Sequence, residues 1–307
     1  MQRDGPLVGG LVGLDNHAHR PEHHGDLLHV AGPAVSATMT ATVGRSAEFH
    51  RLHASGCFVM PNPWDVGSAR ALAGMGFKAL ATTSSGFAWS TGRPDNTVGL
   101  AETLAHLSLI AAAVDLPVNA DFQNGFAVEP EWVAANVDRA VQTGVAGLSI
   151  EDYSGDPAEP LFDFGLAVER IRAARAAIDD SGTGVVLTAR SEGFVWDRPD
   201  IEETIRRLNA YADAGADCLY APFITSPDQV SAIVAAVAPK PVNLLIHTPF
   251  MTVAEAAALG VRRISVGGML AKTAWRGFLD AARQIAEHGT FSQFVGLPDL
   301  NGFFDPS

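Results

Sequence analysis

One pattern recurs along this chain: helical text that ends in glycine, then a short apolar run. ALAGMGFKALATT (71–83), AVQTGVAGLSIED (140–152), AYADAGADCLYAP (210–222) and AAALGVRRISVGG (256–268) all read this way. Glycine suits the left-handed backbone that closes a helix, and the β-rich run after it reads as a strand. Four further runs lie between them: CFVMP (57–61), LPVNAD (116–121), GVVLTAR (184–190) and PVNLLI (241–246). Helical segments separate the eight runs, at 66–75, 99–114, 130–143, 164–179, 200–214, 226–237, 252–259 and 269–288. Two helix starts are marked, by Ser226-Pro227-Asp228 and by Asp200 ahead of Glu202 and Glu203. Strict strand–helix alternation requires a parallel sheet, and eight units predict a closed (β/α)8 TIM barrel. An open doubly wound sheet is the alternative. The first strand lacks a Gly-x-Gly-x-x-Gly turn, so a dinucleotide site has no support.

The flanks differ from the repeat. Residues 1–44 mix Gly, Pro and His without a period and are expected to be a disordered leader, or translation from too early a start with Met39 as the true beginning. The barrel domain is expected over 45–295 and a tail over 296–307. The formal charge of −13 argues against a nucleic-acid partner, which would need a basic patch. It leaves room for an anionic substrate, because a few local cations override a diffuse field. No apolar run approaches the ~18–20 residues of a membrane span. Cys57 and Cys218 sit in apolar text and read as buried small hydrophobes, not a disulfide. The expectation is a soluble cytoplasmic protein with no membrane partner.

In such barrels the reacting groups come from the C-terminal ends of the strands. Those ends carry Asn62, Ser84 and Ser85, Asp121 and Gln123, Glu151 and Asp152, Arg190 and Glu192, Tyr220, Asn243 and His247, and Ser265. Asp121 and Glu151 end adjacent strands, so they can face one cavity. Two carboxylates there repel unless something positive lies between them, and a hard divalent cation is one answer. Arg190 ends the next strand with a planar fork suited to a carboxylate. A lone strand-end Asp is more often a turn residue or helix cap, and Arg190 also has Glu192 and Asp121 as ion-pair partners. Taken jointly, the three strands predict a carboxylate substrate held between a metal and an arginine.

The segments PNPWDVGSARALAGMGFKALATTSSGFAWSTGRPD (61–95), NADFQNGF (119–126), GLSIED (147–152), TARSEGF (188–194) and GADCLYAP (215–222) together resemble the isocitrate lyase/phosphoenolpyruvate mutase superfamily. The resemblance implies Mg²⁺, small 2-oxo or 2-hydroxy carboxylate substrates, and an enolate next to the C–C or P–C bond that breaks or forms. It also implies a homodimer or homotetramer that swaps its last helix. Carried over by position, Asp121 would ligate the metal, while Glu151 and Gln123 would hold metal-bound water. Asp95 would be an active-site carboxylate. Ser85, Gly86 and Phe87 would grip the substrate carboxylate through backbone N–H groups. Asn243, inside strand seven, is a further candidate substrate contact by its place in the barrel. Arg190 would face the developing charge. A proton donor is also needed, and His247 and Tyr153 are candidates for it on geometry alone.

The departures from the family pattern narrow the reading. Gln123 is neutral where an acid is usual. The loop YSGDPAEPLFDFG (153–165) has neither the cysteine of the isocitrate-cleaving enzymes nor the lysine and asparagine of the mutases. Ala221-Pro222 stand where a glutamate would be. These features favour cleavage of a substituted malate or oxaloacetate. A phosphonopyruvate-type mutase or hydrolase and a non-catalytic carboxylate-binding barrel are the alternatives.

Overall fold

The structure, a computed structural model, describes residues 33–304. Eight parallel strands form one sheet: β1 (Phe58–Met60), β2 (Leu80–Ala81), β3 (Val118–Asp121), β4 (Gly147–Glu151), β5 (Val186–Arg190), β6 (Cys218–Tyr220), β7 (Val242–Leu245) and β8 (Arg263–Ser265). Their order runs β1-β8-β7-β6-β5-β4-β3-β2, every neighbour parallel. The seam between β1 and β2 is joined past the strand ends. Ala81 donates its N–H to Pro61 O at 3.1 Å, and the Asn62 side-chain amide donates to Thr82 O at 3.0 Å. The Asn62 oxygen accepts the N–H groups of Val266 (2.9 Å) and Gly267 (3.0 Å), tying the tops of three strands together. This is the (β/α)8 TIM barrel expected.

The helices lie where glycine and cap signals placed them: α2 (Val66–Gly74), α4 (Leu100–Ala113), α5 (Pro130–Val141), α6 (Phe164–Ser181), α7 (Ile201–Asp213), α8 (Pro227–Val237), α9 (Val253–Ala258) and α10 (Met269–His288). Asp200 caps α7 by accepting the Glu203 N–H at 3.0 Å. Ser226 occupies the N-cap of α8 without a side-chain cap bond, leaving Pro227 to start the helix. Three helices were not anticipated: α1 (Pro33–Ala54), α3 (Ser84–Ser90) and the short α11 (Asn301–Phe304), which lies within the expected tail and against α2. No helix among the described residues is long and apolar enough to cross a membrane.

The leader boundary is a correction. Residues 1–32 lie outside the described residues, but residues 33–44 are the first half of α1. Its buried stripe is Thr42, Ser46, Phe49 and His53, spaced at helical intervals but mostly polar, so no apolar period betrayed it. Phe49 seals the lower end of the barrel beside Met60, Ala79 and Val186. Gly147 must be glycine there, because a Cβ would lie 2.6 Å from the Phe49 ring.

Strand parity decides what faces where. Ala120, Leu148, Ile150, Leu187, Ala189, Leu219, Leu244 and Ile264 point outward into the apolar layer under the helices. The alternate positions fill the barrel with polar groups. Arg263 is the largest, fully buried, and donates to Asn243 Oδ1 (2.8 Å), Thr188 Oγ1 (3.1 Å) and His53 Nε2 (3.3 Å). His53 holds its other ring nitrogen 2.7 Å from Phe49 O, which makes that nitrogen the N–H donor and leaves the first as acceptor. Burial, then the Arg263 charge, lowers His53 to about 3 and keeps it neutral.

Candidate active site

Parity also turns Asp121, Glu151 and Arg190 into the barrel mouth, the last inward positions of three neighbouring strands. Arg190 reaches all its acidic neighbours at once. Nη1 lies 2.8 Å from Asp121 Oδ1, Nη2 3.2 Å from Glu151 Oε2 and Nε 2.9 Å from Glu192 Oε1. The ring of Tyr220 lies 5.1 Å from the guanidinium carbon. The second Asp121 oxygen accepts the Ser84 N–H at 2.9 Å, and the Asp121 N–H is held by Thr82 Oγ1 at 2.9 Å. A cavity of about 290 Å³ opens above them, lined also by Asp95, Tyr153, Asn243 and His247.

The charges do not balance. Asp95, Asp121, Glu151 and Glu192 line the cavity around one fork, with Arg263 in the barrel interior and Lys272 at the rim as the other cations. Burial raises Glu151 well above the ordinary carboxylate range; Arg190 opposes this, and Glu192 and Asp121 add to it. Glu192 is pushed up to about 7, by burial first and with Arg190 again opposing. Burial works against the Arg190 cation, but Glu192, Glu151 and Asp121 hold its pKa above the ordinary value. Asp95 is an exposed residue as a whole, yet loss of water around its carboxyl group, and then Asp121, raise its pKa.

This surplus of acid is what a divalent cation would relieve, so the donor set fits magnesium. Among the described residues no three His, Cys, Asp or Glu groups converge into a cage. Magnesium takes one or two carboxylates and fills the rest of its shell with water and substrate oxygens, so no cage is required. Asp121 and Glu151 could hold it.

The remaining expected residues divide. Tyr153 lines the cavity, stacked on Trp196 with ring centroids 4.1 Å apart, and its hydroxyl is raised by burial and then by Glu151. His247 lines it too, stacked on Phe223 at 4.5 Å. Asn243 lies in the floor with its amide engaged, donating to Ser265 Oγ at 3.0 Å and accepting from Arg263. Of the segment 85–87 only Ser85 lines the cavity. Gly86 gives its N–H to Thr83 Oγ1 at 3.3 Å as part of the α3 cap, and a Cβ there would sit 3.0 Å from Trp64 Cβ. Phe87 stacks on His106 at 3.9 Å. Gln123 is a second correction. It sits in a tight turn at φ 47, its carbonyl accepts the Glu151 N–H, and it lines a separate small cavity behind Ser84. The turn that follows Asp121 rotates it out of the cavity. Asp152 also points away, since parity sends it outside the barrel, where it accepts from Tyr211 Oη (2.7 Å), the Glu192 N–H (2.8 Å) and Arg207 (3.2 Å).

Sequence reasoning gave no role to Ser84, Trp196, Tyr220, Phe223 or Lys272, all of which line the cavity. Tyr220 is pushed up to about 12 by burial, against the pull of Arg190. Trp196 and Phe223 stand on loops, where no period marks a direction, while Ser84 heads α3 and Lys272 lies in the first turn of α10. Only Ser84 had a signal: Thr83, three residues before Gly86, is an N-cap pattern for the unexpected α3.

Fold and site define a barrel enzyme class whose acidic mouth is organised around a guanidinium. The family described as phosphoenolpyruvate phosphomutase matches residues 49–286, and the chain belongs to the phosphoenolpyruvate mutase/isocitrate lyase superfamily, whose members are lyases and mutases. An uncharacterized protein of Mycobacterium tuberculosis (strain CDC 1551 / Oshkosh) is 37% identical over 257 residues, which is 82% of this chain and 94% of that protein. A crystal structure from Burkholderia cenocepacia J2315, provisionally classed as a lyase/mutase, shares 43% identity at a TM-score of 0.84, covering 87% of this chain and 98% of the other. The oxaloacetate decarboxylase of Paraburkholderia xenovorans (strain LB400) is 30% identical over 251 residues, 77% of this chain and 80% of that enzyme.

Proposed function

We propose that this protein is a Mg²⁺-dependent lyase that breaks a C–C bond of a small 2-oxo or 2-hydroxy carboxylate, of the substituted-malate or oxaloacetate type, with an enolate as the charge to be stabilised. The observation that carries the reading is the single fork of Arg190 shared by Asp121, Glu151 and Glu192 at the mouth. Similarity to an oxaloacetate decarboxylase supports it. Magnesium held by Asp121 and Glu151 would supply fixed positive charge against the 2-oxygen and carboxylate of the substrate.

The chain's own residues do the rest. Arg190 is braced by its carboxylates, so its orientation toward developing negative charge is set before the substrate arrives and needs no reorganisation. Tyr153, its hydroxyl raised by burial, stays protonated at neutral pH and has a proton to give. Trp89 and Trp196 narrow the mouth against water. On α10, Trp275, Phe278, Leu279 and Ile285 are exposed apolar side chains, which supports a homo-oligomer in which a second copy covers that helix.

The test is release of pyruvate or glyoxylate from substituted malates, oxaloacetate and phosphonopyruvate, with and without Mg²⁺. Magnesium-dependent release from a malate or oxaloacetate is the expected result. Turnover of phosphonopyruvate alone would reassign the protein to P–C chemistry. Carboxylate-dependent thermal stabilisation without any turnover would make it a binding barrel.

A further inference from the structure

We infer that Lys272 is the cation that receives the substrate carboxylate next to the 2-oxygen, a task the family resemblance gives to the backbone N–H groups of residues 85–87. This rests on the 2-oxo or 2-hydroxy acid reading of the site above and assigns it a binding residue. Every acid of that class carries this carboxylate, with or without a second one.

The backbone grip is mostly spent. Gly86 donates its N–H to Thr83 Oγ1 at 3.3 Å and Phe87 donates to Thr83 O at 3.0 Å, so both serve the start of α3. The Ser84 N–H is taken by Asp121 at 2.9 Å. Of residues 85–87 only Ser85 lines the cavity, so at most one N–H of the three is left for a substrate oxygen. A carboxylate that sheds its water needs more than one neutral donor. Asp95 and Asp121 line the same cavity, and an arriving anion meets their charge unless a cation answers it.

Among the described residues, four cavity-lining side chains can carry positive charge: Arg190, Arg263, His247 and Lys272. Arg190 is shared by three carboxylates, and Arg263 donates to three neutral partners inside the barrel. His247 packs its ring against Phe223 at 4.5 Å and Phe250 at 6.2 Å. The Lys272 ammonium pairs with no carboxylate among the described residues and lies 5.4 Å from the Trp89 ring centroid. An aromatic face steadies a cation without neutralising it, so the charge stays free for a ligand.

Packing sets this lysine beside Ser85. Lys272 donates its N–H to Gly268 O at 2.9 Å, so the two residues stand one turn apart on the same face of α10. That face lies against α3: a Cβ on Gly268 would come within 2.7 Å of Ser85 Oγ and 2.9 Å of the Trp89 ring. The missing side chain lets α10 close onto α3. Lys272 and Ser85 thereby belong to one corner of the mouth, joined through Gly268 and Trp89.

Titration calorimetry of the full chain tests this, first with Mg²⁺ alone and then with pyruvate at saturating Mg²⁺. Lys272→Met, with an unchanged melting transition, should weaken pyruvate binding about tenfold, as loss of a charge-assisted hydrogen bond would. Its Mg²⁺ affinity should stay within about twofold of wild type, because an exposed rim charge acts weakly on the metal. Lys272→Arg, which keeps the charge, should return pyruvate affinity to within about threefold of wild type. Unchanged pyruvate affinity in Lys272→Met would overturn the inference and leave the lyase reading in place. Equal losses of Mg²⁺ and pyruvate affinity would overturn it too, since they would mark Lys272 as a support of the mouth and not a carboxylate partner. Failure of the wild type to bind pyruvate with Mg²⁺ present would overturn both readings.

Discussion

Two arginines lie inside the same barrel in opposite company. Arg190, at the top, is crowded by Asp121, Glu151 and Glu192. Arg263, at the bottom, makes no ion pair among the described residues and is held by an amide, a hydroxyl and a neutral imidazole. Burial lowers the pKa of Arg263, while carboxylates outweigh burial at Arg190. The lower site is complete: each guanidinium nitrogen has a neutral acceptor, and α1 supplies the last of them. The upper site carries more negative charge than its guanidinium can match, and two of its glutamates respond by drifting toward protonation. A structural cluster settles its charges internally. A functional one leaves a charge for the ligand to settle.

The largest expected effect comes from removing the acid that pairs with the fork and is proposed to hold the metal. Asp121→Ala should lower Mg²⁺-dependent turnover by about a thousandfold while leaving the circular dichroism spectrum unchanged. Full activity in that variant would place the metal elsewhere. Next are the two arginines, each replaced by methionine. Arg190→Met leaves buried carboxylates without a counter-charge, so it should lose about 3–5 kcal/mol at pH 8 and less at pH 6, where protons neutralise them. Arg263→Met strands neutral acceptors, which should cost about 2–3 kcal/mol at both pH values. Denaturant melts at the two pH values separate these outcomes, and equal pH dependence would erase the contrast.

Wild-type stability should carry both signatures with opposite slopes. Glu192 moves from an ordinary 4.5 to about 7 on folding, so the native state binds the extra proton and stability falls as pH rises through that window. His53 moves from 6.5 to about 3, so the unfolded state binds the extra proton and stability falls as pH drops below 6.5. Saturating Mg²⁺, at about a hundred times its Kd, should add about 2.7 kcal/mol at pH 8. The gain should shrink at pH 5, where protons compete, and vanish in Asp121→Ala; differential scanning fluorimetry reads all three. The smallest effect belongs to Gln123→Glu. Because this side chain lies outside the cavity, the affinity for Mg²⁺ should change by no more than about twofold. A tenfold gain would return position 123 to the metal site.

All eight strands and the eight helices that alternate with them were legible, because glycine caps and apolar runs report on local backbone. So was the meeting of Asp121, Glu151 and Arg190, since neighbouring strand ends in a closed barrel must converge. α1 was missed because its buried face is Thr42, Ser46 and His53, which hydrophobic patterning does not register. α3 was missed because SSGFAWS follows its strand directly and reads as loop. Gln123 was misplaced because a left-handed turn reverses the parity that holds inside the strand.

What the chain's own text determined, then, was the alternation, the barrel and the side of each strand that looks inward, all set by interactions a few residues long. What only the tertiary structure decided was company. Glu192 sits on the fork, Asp152 faces outward to Tyr211 and Arg207, and His53 completes Arg263 from 210 positions away in sequence. Those pairings arise from ring closure and loop paths, and no local propensity encodes the distances between these groups.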